Sequence, residues 1–100
     1  MKNFRTFELS VTFYRLIRLV QVTGHLRDQL NRAALSIVLN LAEGRGRASL
    51  KDQRRFFTIA LGSLRECQAA LHLEKLENTE AWKVLDKLGA SLYLLIKNAR

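Results

Sequence analysis

The chain has 100 residues, of which 48% are hydrophobic and 26% are charged, and it contains no proline. This length and composition predict a single globular domain over residues 1–100 with one modest core, and they argue against long disordered segments. The most apolar run, 33–42, is shorter than the roughly 20 residues that cross a bilayer, so no membrane span is expected. The charged N-terminus lacks a signal-peptide pattern and the only cysteine is Cys67, which together predict a cytoplasmic protein.

The formal net charge is +8, and the excess is one-sided. Residues 1–65 carry twelve Lys and Arg against four Asp and Glu, whereas residues 66–100 carry five of each. A basic field of this kind attracts polyanions such as nucleic acid, acidic proteins or anionic lipid headgroups.

Apolar residues at helical spacing predict a first helix over 7–22, ended by Gly24. A second helix is predicted over about 26–43, with Gly44 where a helix C-terminus favours a residue that tolerates positive φ. The predicted core positions are Leu9, Phe13, Leu16, Ile17 and Val20 in the first helix, and Leu26, Leu30, Ala33, Ile37 and Leu41 in the second.

A third helix is predicted over roughly 50–77, because Ser49 followed by Asp52 forms a typical N-terminal capping pair. Thr79 is a good N-cap for a last helix that runs to about Lys97. The predicted core positions are Phe57, Ala60, Leu64, Cys67 and Leu71 in the third helix, and Ala81, Leu85, Leu88, Leu92 and Leu95 in the fourth.

No segment alternates apolar and polar residues as a strand does, so the predicted fold class is all-α. Short connections favour an up-down-up-down antiparallel four-helix bundle. Two helices carry further apolar residues beyond one stripe, and these favour self-association over a merely wide monomer core. The further residues are Leu35, Val38, Leu39 and Ala42 in the second helix, and Trp82, Gly89, Tyr93 and Ile96 in the fourth.

Three polar side chains, spaced by four and three residues, follow one side of the otherwise apolar second helix. Such groups are costly to bury without partners, so they predict contact with another helix or another subunit. Ser63 and Glu66, which lie one turn apart on the third helix, are natural partners for these groups. Gly62, beside Ser63, would let a neighbouring backbone approach closely. The predicted structural polar network comprises Ser36, Asn40, Glu43, Ser63 and Glu66.

An enzymatic alternative would use Glu43 and Glu66 as a carboxylate pair. Neither is followed by a histidine three residues later, as a di-iron bundle requires, and His25 and His72 lack zinc-site spacing. Cys67 falls on a core stripe and fits a small buried hydrophobe better than a nucleophile. We therefore expect no catalytic residues, no metal and no cofactor.

Basic residues around the turn after the second helix, with two more on the first helix, are the better functional candidates. Clustered Arg and Lys side chains bind phosphate groups without regard to base sequence, although many charge clusters are ordinary solvated surface. The predicted nucleic-acid-binding residues are Arg15, Arg18, Arg45, Arg47, Lys51, Arg54 and Arg55.

Two sequence blocks, QLNRAALSIVLNLAEGRGRAS (29–49) and FFTIALGSLRE (56–66), resemble the bacterial four-helix bundle family of 23S rRNA-intervening sequence proteins. That family includes relatives of the accessory variability determinant of diversity-generating retroelements. Val38 replaces a proline of the family pattern and Asn31 replaces an arginine, so a proline-dependent bend is not carried over. The matching positions are Gln29, Leu30, Arg32, Ala33, Ala34, Ser36, Ile37, Asn40, Ala42, Glu43 and Gly44, then Ala60, Gly62, Ser63 and Glu66.

The resemblance implies a homo-oligomer, with a ring of five subunits favoured, and a basic surface that binds RNA or DNA. It leaves a second hypothesis open, in which the basic face holds a protein partner such as a reverse transcriptase.

Overall fold

The computed structural model describes residues 4–99, which form four α-helices and contain no strand. This confirms the all-α class that the sequence predicted. The helices are α1 (Arg5–Ile17), α2 (Gly24–Arg45), α3 (Leu50–Leu73) and α4 (Glu80–Asn98).

Each helix packs against two others: α1 contacts α2 and α4, and α3 contacts the same two helices. The most extensive of these interfaces joins α2 to α3. All five core positions predicted for α3 are buried. Five of the other predicted core residues are only half-buried at the rim: Leu9, Leu16, Val20, Leu26 and Leu95. The largest fully buried apolar side chains are Phe13, Leu30, Ile37, Leu41, Leu64, Leu71, Leu85, Leu88 and Leu92.

Both predicted helix caps are confirmed. The Ser49 hydroxyl accepts a hydrogen bond from the backbone N–H of Asp52 at 3.1 Å, and the Thr79 hydroxyl accepts one from that of Trp82 at 3.2 Å. Each cap satisfies a backbone donor that the first turn of a helix leaves unpaired, which contributes about 1 kcal/mol. The start of α3 is therefore defined by its own sequence.

The predicted ends of the first and third helices are wrong. The first helix ends at Ile17, and Gly24, with a φ of 59°, begins α2 instead of ending α1. The third helix ends at Leu73, because Lys75 takes a left-handed conformation that lets the N–H of Leu76 bond back to the Leu71 carbonyl. The apolar periodicity of the sequence continues past both helix ends, because side chains beyond a helix end still pack on the core. The periodicity therefore predicted helices that were too long.

Gly44 lies inside α2 and does not have positive φ, so its expected role as a terminating residue is also wrong. A Cβ at this position would lie 2.6 Å from Cε1 of Phe57 and 3.0 Å from Cβ of Phe56. The absence of a side chain at Gly44 thus lets the Phe57 ring lie directly on α2. Close approach was expected at Gly62, but a Cβ there would meet nothing within 4 Å.

Replacing these two glycines with alanine is expected to have opposite effects on stability. Gly44→Ala forces Phe57 to shift and lowers the free energy of unfolding by about 1 kcal/mol or more, since overpacking outweighs the small propensity gain near a helix end. Gly62→Ala, the matched control in an exposed helix interior, raises it by roughly 0.5–1 kcal/mol. Urea denaturation followed by circular dichroism measures both, and a Gly44→Ala variant as stable as the parent would contradict the packing argument.

Candidate nucleic-acid interface

Three polar side chains meet where α2 packs on α3, and we call them the polar seam: Ser36, Asn40 and Ser63. The hydroxyls of Ser36 and Ser63 lie 2.8 Å apart. The Asn40 amide nitrogen donates to the Ser36 carbonyl at 2.9 Å and to the Ser36 hydroxyl at 3.1 Å. Ser63 is buried and the other two are half-buried, and these hydrogen bonds pair both hydroxyls and the Asn40 amide nitrogen within the interface.

Glu43 and Glu66, the other two members of the predicted network, lie outside the polar seam. Glu43 is exposed, and its Oε2 lies 2.8 Å from Nη2 of Arg47. Glu66 is exposed on α3, and within residues 4–99 no hydrogen bond or ion pair joins it to the seam. The physical reason is desolvation: hydroxyls and an amide can share hydrogen bonds in a half-buried interface, whereas a carboxylate there loses its hydration without a cation in return.

Five cations gather around the connection from α2 to α3, and we call them the basic turn: Arg45, Arg47, Lys51, Arg54 and Arg55. All five side chains are exposed. The turn is short and tied down, because the Gly46 N–H bonds to the carbonyls of Ala42 and Glu43, while the Gln53 amide nitrogen donates to the Arg47 carbonyl at 2.9 Å. The cations are thus carried by a fixed backbone instead of a loose loop.

Three arginines of the basic turn lie over aromatic rings. The guanidinium carbons of Arg47 and Arg55 lie 4.8 and 4.6 Å from the centroid of the Phe56 ring. That of Arg45 lies 4.7 Å from the centroid of Phe4. A ring face attracts a cation, so Phe56 holds two like charges close together that would otherwise repel. We call this group the Arg47–Phe56–Arg55 cluster.

Sequence reasoning missed both of these aromatic residues. The signal was present as phenylalanine directly beside arginine, in the runs FR at residues 4–5 and RRFF at 54–57. Arg5 was also passed over, although it lines, together with Arg45 and Phe4, a cavity of about 430 Å³ at this end of the molecule.

Arg15 and Arg18 do not join the basic turn. Phe4, beside the start of α1, contacts Arg45, whereas Arg18 follows the last residue of α1. At 1.5 Å per residue, Arg18 lies roughly 20 Å further along the helix axis. There Arg18 donates to the Tyr14 hydroxyl at 3.1 Å and stacks on the Tyr14 ring. The seven predicted cations therefore form two separate groups of five and two.

Cys67 and His72 have local structural explanations. Burial raises the pKa of the Cys67 thiol to about 12, with the nearby Glu66 carboxylate adding to the effect, so the thiol stays protonated at neutral pH. A hydrogen bond from His72 lowers the pKa of Glu77 at the end of α3. Among residues 4–99, no three His, Cys, Asp or Glu side chains are grouped so that they could hold a metal ion.

The profile of the 23S rRNA-intervening sequence protein family matches residues 5–98. The chain belongs to this family. The match runs from the start of α1 to the end of α4, which confirms the family that the two sequence blocks predicted. No curated protein and no solved structure matches the chain. None of the four helices described for this family member is long and apolar enough to cross a membrane.

Proposed function

We propose that this protein is a non-enzymatic, cytoplasmic homo-oligomer that binds RNA or DNA phosphates through the basic turn. The observation that carries the proposal is the Arg47–Phe56–Arg55 cluster, where one ring supports two exposed guanidiniums. Guanidiniums are planar donors that match phosphate oxygens and need little dehydration to bind them. The segment 43–55 carries five cations against the carboxylates of Glu43 and Asp52, so its local field is positive.

Contacts of this kind neutralise backbone phosphates and release counterions, so the binding would be sequence-independent and sensitive to salt. The separation of Arg15 and Arg18 from the turn makes them secondary in this proposal. They would add to the overall field without contacting the same stretch of nucleic acid.

Self-association is the second part of the proposal, with an up-down-up-down bundle as the subunit and a five-subunit ring as the favoured assembly. The cavity beside Arg45 supports the subunit topology, because it is lined by the starts of α1 and α3 and the ends of α2 and α4. Three large apolar side chains on α2 and α3 support association, since Leu35, Leu39 and Ile59 are 41%, 57% and 42% exposed. A ring would repeat the basic turn in every subunit and multiply its field.

The accessory-protein hypothesis assigns the same basic face to a protein such as a reverse transcriptase. Acidic side chains could pair with the basic turn, but the stacked guanidiniums are equally suited to evenly spaced phosphates. A reverse transcriptase gene beside this one would favour the protein partner, and a position within an rRNA gene would favour nucleic acid.

Removing the two arginines of the cluster is expected to weaken RNA binding more than removing the two distant ones. Arg47→Ala with Arg55→Ala should lower the affinity for a fluorescein-labelled oligouridylate by about tenfold or more, and flatten the log K against log salt slope by about 0.7 per lost contact. Fluorescence anisotropy at several salt concentrations measures both quantities.

The matched control is Arg15→Ala with Arg18→Ala, which changes the net charge equally and should leave the slope nearly unaltered. Equal losses in the two double variants would contradict a localised site. Binding by the parent that is absent, or unmoved by salt, would contradict the nucleic-acid proposal itself.

Light scattering on the purified protein should give a mass several times that of the 11.5 kDa chain. Leu35→Glu with Leu39→Glu should reduce the assembly towards one chain, because carboxylates at a covered apolar face are costly to bury. Leu19→Glu, in an exposed position between α1 and α2, is the control and should leave the mass unaltered. A parent protein of one-chain mass at micromolar concentration would contradict the proposed oligomer.

A further inference from the structure

Glu43 is an acidic residue placed among the cations of the basic turn. It lies in the last turn of α2, where unpaired carbonyls make a negative charge unfavourable. Its Oε2 nevertheless lies 2.8 Å from Nη2 of Arg47, in a pair whose side chains are 53% and 42% exposed. The helix end does not favour a carboxylate at this position, so the ion pair with Arg47 is its main favourable interaction.

Arg47 has two supports besides Glu43. Its backbone is held by the hydrogen bond from Gln53 to its carbonyl, and its guanidinium lies on the Phe56 ring. The carboxylate instead occupies the edge of the guanidinium. A phosphate oxygen that bound Nη2 would use the same donor at the same distance, since charge-assisted N–H to O contacts lie at about 2.7–2.9 Å.

We propose that Glu43 is a specificity-determining residue that competes with phosphate for Arg47. A single phosphate gains one guanidinium edge and must displace the tethered carboxylate, so it binds poorly. A polyanion can bind Arg45, Lys51 and Arg55 whether or not Glu43 is displaced from Arg47, so the competition lowers its affinity less than that of a single phosphate. The inference rests on the proposed function and deepens it, because it makes extended phosphate chains the preferred ligands over single anions.

The competition predicts that neutralising Glu43 strengthens binding. Glu43→Gln should tighten binding of the labelled oligouridylate roughly two- to fivefold at low salt, in line with the strength of an exposed ion pair. It should also steepen the log K against log salt slope by part of the roughly 0.7 that one phosphate contact contributes, because phosphate at Arg47 no longer displaces an ion-paired carboxylate. Inorganic phosphate should compete with the oligonucleotide more effectively in this variant than in the parent.

The control is Glu66→Gln, which removes one exposed carboxylate from α3 and changes the net charge equally. It should leave the salt slope and the phosphate competition unaltered. A second test places Glu43→Gln in an Arg47→Ala background, where its effect should disappear because the contested donor is gone. Circular dichroism melts of each variant verify that the fold is intact.

A Glu43→Gln variant that binds RNA more weakly than the parent would overturn the inference, since Glu43 would then orient Arg47. Equal behaviour of Glu43→Gln and Glu66→Gln would also overturn it, while salt-sensitive binding by the parent would leave the proposed function standing. A parent that binds no RNA at any salt concentration would remove the proposed function and this inference together.

Discussion

The packing of the Phe57 ring on Gly44 is the contact on which the arrangement of this protein depends. It brings the end of α2 and the start of α3 close enough for a short connection, and it places Phe56 beside the same helix end. Further along the interface, the hydrogen bond between Ser36 and Ser63 satisfies two hydroxyls that would be costly to bury alone. One apolar and one polar contact thus join α2 to α3 within their buried interface, and the basic turn lies at its end.

Arginine–aromatic stacking explains how that turn can carry so much positive charge. Like charges on neighbouring residues repel, and flexible cations lose conformational freedom when they bind. Rings that are packed into the structure offset the repulsion and hold the guanidiniums in place before a ligand arrives. The ion pair with Glu43 adds a local counter-ion, which we propose competes with phosphate for Arg47.

Elements defined by local chemistry were predictable from the sequence, and features defined by tertiary partners were not. Ser49 and Thr79 cap their helices through bonds within their own first turns, so their roles follow from nearby residues alone. The spacing of polar residues on α2 could not separate the half-buried Asn40 from the exposed Glu43, because the burial of each depends on how α3 packs on α2. The close approach was assigned to Gly62 instead of Gly44, since a glycine in a helix does not indicate which ring lies against it.

The grouping of the cations was predictable only in part, for the same reason. Residues 45–55 are close in sequence, and the structure keeps them together. Arg15 and Arg18 are also positively charged, but they lie far along α1. Their distance from the basic turn depends on the direction in which α1 runs.

In the proposed complex, ligand phosphates bind the arginines stacked at the α2–α3 turn. Nuclear magnetic resonance of the arginine Nε–Hε groups, recorded while RNA is added, tests this most directly. Binding at this turn should shift the signals of Arg45, Arg47 and Arg55 so that they saturate together, while the Arg15 signal stays unchanged. Shifts confined to Arg15 and Arg18, or none at all, would contradict it.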